Sequence, residues 1–209
     1  MTVRRPLRIG LTGGVASGKS TVAAALRARG AALVDADAIA REVVRPGEPA
    51  YRGIVEAFGP SVLGPDGALD RKALAGRVFT DAAARRRLNT LTHPHIRRRM
   101  AEEAARLTTS AGIPVIVFDI PLLLDTTDGR DLALDGIVVV YADPDARLRR
   151  LTARDGVPPD DARRRLAAQV PLEEKVKRAD WVIDNSGTPE ETEAQVERLW
   201  QTLMERARA

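Results

Sequence analysis

The sequence predicts a doubly wound α/β protein: a five-stranded parallel sheet with helices on both faces, carrying a helical insertion and a second helical segment further on. Two observations carry this prediction. Short apolar runs alternate with segments of helical periodicity, and the first apolar run enters a glycine-rich turn that opens directly into a helix.

Leu7 to Leu11 is short, apolar and followed by Gly13-Gly14, as a buried strand entering a tight turn would be. Ser20 to Arg29 reads as a helix stopped by Gly30, and Ala31 to Val34 as a second strand ending at Asp35-Ala36-Asp37. Strand, loop, helix, strand is the order that a parallel unit requires. From Ala38 to Gly112 helical periodicity is broken by Pro46-Gly47, Gly59-Pro60 and Gly64-Pro65-Asp66-Gly67, which marks a mostly helical insertion. Ile113 to Phe118 (IPVIVF) and Gly136 to Tyr141 (GIVVVY) are buried strands, closed by Asp119 with Pro121 and by Asp143-Pro144. Residues 145–176 form a basic helical segment interrupted by Gly156-Val157-Pro158-Pro159. Trp181 to Ile183 is the last strand, Asn185-Ser186-Gly187 its exit turn, and Pro189 to Ala207 an amphipathic closing helix. The expected organisation is a single unit over 1–209, whose core is 1–37, 113–144 and 177–209, with 38–112 and 145–176 as the added segments. Ligands of such sheets sit at the carboxyl ends of the strands, where the loops carry GGVASGKST, DAD, DIP, YADP and DNSG.

Composition narrows the chemistry. With 209 residues, 44% hydrophobic and 30% charged, the chain is long and apolar enough for one sizeable core. Aromatic residues are only 3%, so the core is built from Ala, Val, Leu and Ile, and a stacking platform for nucleobases is not expected. There is no cysteine, which excludes disulfides, thiolate metal sites and a cysteine nucleophile, and fits a reducing compartment. No signal-like apolar stretch and no membrane-length run occurs, so a cytoplasmic protein without a membrane partner is expected. The net charge of +4 comes from arginine, including triplets at 85–87, 97–99 and 163–165. Such a balance suits any polyanion, although each triplet on its own reads first as a solvated helix face.

Gly13, four residues, then Gly18-Lys19-Ser20 is the spacing of a phosphate-binding loop, and strand, loop and helix fall where that loop needs them. Gly13, Gly14 and Gly18, with Val15, Ala16 and Ser17 between them, turn backbone N–H groups toward phosphate oxygens at the positive end of a helix. Lys19 is placed for the β- and γ-phosphates, the Ser20 hydroxyl for Mg²⁺ and Thr21 for the α-phosphate, so ATP and Mg²⁺ are the expected ligands. The loop alone leaves small-molecule kinases, GTPase switches and larger ATPases open. Asp184-Asn185-Ser186-Gly187 lacks the lysine of a guanine-reading motif, and the larger ATPases exceed this length, which favours a kinase. A kinase also needs a carboxylate beside the acceptor hydroxyl. Asp35 and Asp37 both follow the second strand, and alternation along an extended segment would point them the same way. Asp119 ends the third strand, where a metal-side carboxylate would sit; a turn-former before Pro121 is the competing reading.

Eight segments in register then resemble one family: GLTGGVASGKST, DADAIAREVVRPG, FGPSVLGPDGALDRKAL, HPHI, DIPLLLD, RLTARDG, AAQVP and ADWVIDNSG. Over roughly residues 7–187 the chain looks like a dephospho-CoA kinase. The resemblance implies a P-loop fold and transfer of the γ-phosphoryl of ATP to the ribose 3'-hydroxyl of dephospho-CoA. It implies Asp37 as the base or orienting group, Asp35 as its neighbour, and Arg41 one helical turn on as a substrate contact. It makes 38–112 the CoA-substrate domain, with Asp70-Arg71 and His93-Pro94 as marked positions; Arg71, His93, Pro121 and Leu122 are then substrate residues. It makes 145–176 a lid, from which Arg147, Arg150 and Arg154 share one face, Arg147 meeting nucleotide and Arg150 the transferring phosphoryl. It also marks Gln169, and puts Asn185 at the adenine end of the site. Two departures stand out: Ala16 replaces a usual glycine, tolerable if φ there is negative, and Asp125 replaces a longer glutamate. The alternatives are another nucleoside or nucleotide kinase of the same fold, or a non-enzymatic nucleic-acid-binding module using the arginine triplets. Nucleic acid is not the expected partner, and a monomer is expected with an oligomer left open.

Overall fold

The computed structural model describes residues 5–110, 112–125 and 132–208. The chain divides into two compact units, Met1–Val34 with Arg106–Ala209, and Asp35–Ala105.

The first unit is built on a five-stranded sheet of order β2-β3-β1-β4-β5, with β1 Leu7–Gly13, β2 Ala32–Asp35, β3 Val115–Asp119, β4 Gly136–Tyr141 and β5 Trp181–Asp184. β1 pairs in parallel with β3 (Leu7 opposite Val115) and with β4 (Gly13 opposite Val140), and β4 pairs in parallel with β5. The chain passes from β1 to the edge strand β2, returns to place β3 against β1, and then crosses to the other side of β1 with β4 and β5, so the carboxyl end of β1 lies at the switch point where such sheets bind ligands. β3 is apolar because both its faces are covered: Val115, Ile116, Val117 and Phe118 are all buried. α1 Lys19–Ala28 and α9 Pro189–Arg208 close one face, packing Val22, Leu26, Val196 and Leu203 against Ile9 and Val138. β1, β2, β3 and β5 run past their apolar stretches at the carboxyl end, while β3 begins at Val115 instead of Ile113 and β4 keeps the expected bounds. β1 extends to Gly13 because the ladder continues through Thr12 opposite Val139, and Thr12 is fully buried.

Between β4 and β5 lie α6 Pro144–Asp155, α7 Pro159–Ala167 and α8 Leu172–Val176. Asp143 caps α6 by accepting from the Ala146 N–H at 2.7 Å, and Gly156 ends it in the left-handed region. The second unit is helical, as the periodicity predicts: α2 Ala36–Glu42, α3 Pro49–Phe58, a 3-10 turn Pro60–Val62, α4 Arg71–Thr80, and α5 Ala82–Thr109, which enters the first unit at its end. Ile54, Val62 and Leu74 form its small core with Phe58, Leu88 and Leu91. Among the described residues no helix is long and apolar enough to cross a membrane.

Candidate active site

The loop between β1 and α1 sits in the first unit, and three side chains from later in the chain grip its backbone. The Val15 N–H donates to Gln169 Oε1 at 2.8 Å, and the Val15 carbonyl accepts from Arg147 Nε at 3.1 Å. Asn185 Nδ2 donates to the Ser17 carbonyl at 2.8 Å. Gly18 has φ 87°, and a side chain there would collide with the Asn185 amide, so only glycine serves at this position. Gly14 meets a different demand: a Cβ there would lie 2.8 Å from Arg147 Nη2.

Ala16 overturns one sequence expectation. Its φ is 59°, the left-handed region, not the negative φ under which alanine would be free of strain. That conformation costs an L-residue about 1–2 kcal/mol, so the neighbouring contacts must hold it.

Lys19 and Asp119 form an ion pair at the end of β3, which joins the loop lysine to the carboxylate that the sequence expects on the metal side. Ser20 and Thr21 are exposed in the first turn of α1. Arg150 donates through Nη2 to the Asn185 carbonyl at 2.7 Å, while its buried Nη1 has no partner among the described residues. That Nη1 lies 3.7 Å from where a Gly18 side chain would begin, so a donor with no partner among the described residues stands beside the loop. Arg147 is only 8% exposed and burial pushes its pKa down, with the Glu173 and Tyr141 charges opposing; it braces the loop from inside the fold. Arg154, expected on the same face, is exposed and pairs with Asp155, and Arg149 is exposed. Asn185 is 7% exposed; its Oδ1 accepts from Thr192 Oγ1 at 2.8 Å, so its side chain is fully engaged within the protein. Pro121 accepts from Thr12 Oγ1 at 2.9 Å, and Leu122 beside it is 50% exposed. Asp125 reaches the buried Lys175 at 2.9 Å, so the shorter carboxylate still has a partner.

The second unit holds a cavity of about 450 Å³. Its apolar wall includes Val44, Ile54, Leu69 and Leu74; Asp37, Arg41 and Arg71 are its charged members, and α5 supplies Asn89 and Thr92. Asp35 and Asp37 do not lie on one extended segment. α2 begins at Ala36, and Asp35 is its N-cap, accepting from the Ala38 N–H at 2.9 Å, while Asp37 is exposed in the first turn. Asp70 is likewise a cap, accepting from the Lys72 and Ala73 N–H groups, which leaves Arg71 at the first position of α4 to line the cavity. His93 is half-buried on α5 and is not among the lining residues.

Comparison with known proteins decides among the kinases of this fold. The dephospho-CoA kinase family model matches residues 7–191. The chain belongs to the dephospho-CoA kinase family. It is 54% identical over 191 residues to the dephospho-CoA kinase of Anaeromyxobacter dehalogenans, covering 91% of this chain and 89% of that one. It is 50% identical over 192 residues to that of Geobacter sulfurreducens, covering 92% and 96%. Among solved structures, the dephospho-CoA kinase from Campylobacter jejuni superposes with a TM-score of 0.70 at 26% identity, covering 95% of this chain and 98% of that one. A Thermus thermophilus protein superposes at 0.82 with 37% identity and the same coverage. A shikimate kinase from Bacteroides thetaiotaomicron, at 0.51 and 19%, shares the fold.

For this dephospho-CoA kinase family member, sequence reasoning missed the roles of Gln169, Thr192 and Lys175, and the lining role of Asn89 and Thr92. Gln169 carried a signal in its AAQVP segment, but nothing in the spacing says that it reaches Val15.

Proposed function

We propose that this kinase transfers the γ-phosphoryl of ATP to the ribose 3'-hydroxyl of dephospho-CoA, giving CoA and ADP. The observation that carries the residue roles is the cavity whose charged members are Asp37, Arg41 and Arg71, in a chain whose phosphate loop bears Lys19. The apolar wall suits the uncharged body of the acceptor, and Arg41 and Arg71 suit its phosphates. Asp37 accepts a hydrogen bond from the 3'-hydroxyl, orients its oxygen toward the γ-phosphorus and takes the proton as the new P–O bond forms and the bond to ADP breaks. Lys19 leaves Asp119 for the β- and γ-phosphate oxygens, and Arg150 Nη1 offers its unmatched N–H to the charge moving onto ADP. The Ser20 hydroxyl and the Asp119 carboxylate are hard oxygen donors that would hold Mg²⁺. When bound, Mg²⁺ supplies neutralising charge to the phosphates. The test is a coupled ADP-release assay with dephospho-CoA against AMP, adenosine and no acceptor, with the product weighed by mass spectrometry. ADP formed only with dephospho-CoA, alongside CoA, is expected; equal release with AMP or adenosine would sink the proposal.

A further inference from the structure

Gln169 lies in the short link between α7 and α8, and its side-chain carbonyl reaches across to the tip of the phosphate loop. The Val15 peptide groups are held on both sides, N–H by Gln169 Oε1 at 2.8 Å and carbonyl by Arg147 Nε at 3.1 Å. The next residue is Ala16, at φ 59°, and beyond it the Ser17 carbonyl is tied to Asn185. The one strained residue of the loop is therefore flanked by tethered peptide groups. Without the tethers Ala16 would relax toward negative φ, and that rotation would turn the adjoining N–H groups away from the concave side where a phosphate is received.

We propose that Gln169 is a positioning residue for nucleotide binding: with Arg147 it locks the Val15 peptide and so keeps Ala16 in the left-handed conformation that the phosphate cradle needs. This rests on reading residues 13–21 as the ATP site. Gln169 acts through the loop backbone and touches no reacting atom. A glycine at position 16 would adopt the same φ without strain, so the alanine makes this chain dependent on the tether. The consequence is a specific coupling between positions 16 and 169, which a general packing role for Gln169 does not produce.

The experiment compares the parent chain with Gln169→Ala and with Gln169→Met, which keeps side-chain length but lacks the acceptor, each with and without Ala16→Gly. Steady-state KM values and the Kd of a β,γ-methylene ATP analogue are measured, and urea unfolding checks that each variant folds. Loss of the acceptor is expected to weaken analogue binding and raise the ATP KM about tenfold, the size of one lost hydrogen bond, while the KM for dephospho-CoA holds. Ala16→Gly is expected to tighten binding at least about threefold more in the Gln169 variants than in the parent. Equal effects of Ala16→Gly in both backgrounds, unchanged analogue affinity on losing Gln169, or a parallel rise in both KM values would each overturn the proposal. A parent chain that fails to bind the analogue would instead overturn the nucleotide reading of the loop, so the two failures are distinguishable.

Discussion

Asp37 and Asp35 are separated by a single residue, yet the start of a helix between them gives them different work. Asp35 spends its carboxylate on the Ala38 N–H, whereas Asp37 lines the cavity of the second unit, where the proposed function has it accept from the substrate hydroxyl. Asp37→Asn keeps size and polarity but removes the charge to which the proposed function gives the orienting and deprotonating of the acceptor. It is expected to lower kcat about 10²–10⁴-fold with little change in the ATP KM, measured by the ADP-release assay. A rise confined to the ATP KM would move Asp37 to the metal side. Asp35→Ala belongs to a different experiment, since losing the cap is expected to cost about 1 kcal/mol of stability in urea unfolding. Lys19→Ala removes a positive charge from the loop, and kcat is expected to fall about 10²–10³-fold. The two aspartates also show what one chain of residues can reveal. Their closeness to the end of β2 is plain in the sequence, but the residue at which extended backbone turns into helix is set by hydrogen bonds that have no compositional signature.

At the scale of elements, the parts that a repeating pattern specifies were legible and the parts that single long-range contacts specify were not. The five strands and their parallel, doubly wound arrangement follow from apolar runs alternating with helices, and the loop follows from its spacing, whereas the order β2-β3-β1-β4-β5 was not read from the sequence. The reach of Gln169 to Val15, and of Lys175 to Asp125, joins residues far apart in the chain, and no local pattern encodes it. The Lys175–Asp125 pair fastens α8 to the segment after β3, with Lys175 only 1% exposed. Asp125→Asn leaves that ammonium buried without its counter-charge and is expected to destabilise the fold by about 3–5 kcal/mol. Replacing both, as Lys175→Met with Asp125→Leu, is expected to recover most of that loss, because two apolar side chains leave no uncompensated charge. Urea unfolding of the single and double variants checks both, and a double variant no more stable than Asp125→Asn would show that the pair is not the source of the effect.

Over the whole molecule the charge pattern predicts a stability curve with two limbs. Burial works against the Asp135 charge, but the Arg5 fork at 2.7 and 2.9 Å, the Arg8 N–H at 2.8 Å and the two arginine charges outweigh it and hold the carboxyl below its usual range. The Ala146 N–H does the same for Asp143, Arg154 for Asp155, and Arg29 for Glu197. Each of these acids binds fewer protons folded than unfolded through its titration, so its contribution is present above the ordinary carboxylate range, about pH 4, and is lost as pH falls through the lower folded values. Tyr141 has the opposite sign. Burial, then the charges of Glu173, Asp184 and Asp143, raise its pKa, so its neutral form is favoured in the fold. Its contribution is present below about pH 10, the ordinary tyrosine value, and is lost as pH rises through the higher folded one. The urea midpoint is therefore expected to be flat near neutrality, to fall below about pH 4 and to fall again above about pH 10. Because Arg5 is 61% exposed, added salt should screen its share of the acid limb. Asp135→Asn is expected to lower the neutral plateau and make the acid limb shallower while leaving the alkaline limb in place. Tyr141→Phe is expected to flatten only the alkaline limb. If Asp135→Asn left the slope below pH 4 unchanged, the acid dependence would have to come from the other carboxylates, and the Arg5 fork would be an ion pair without consequence for folding.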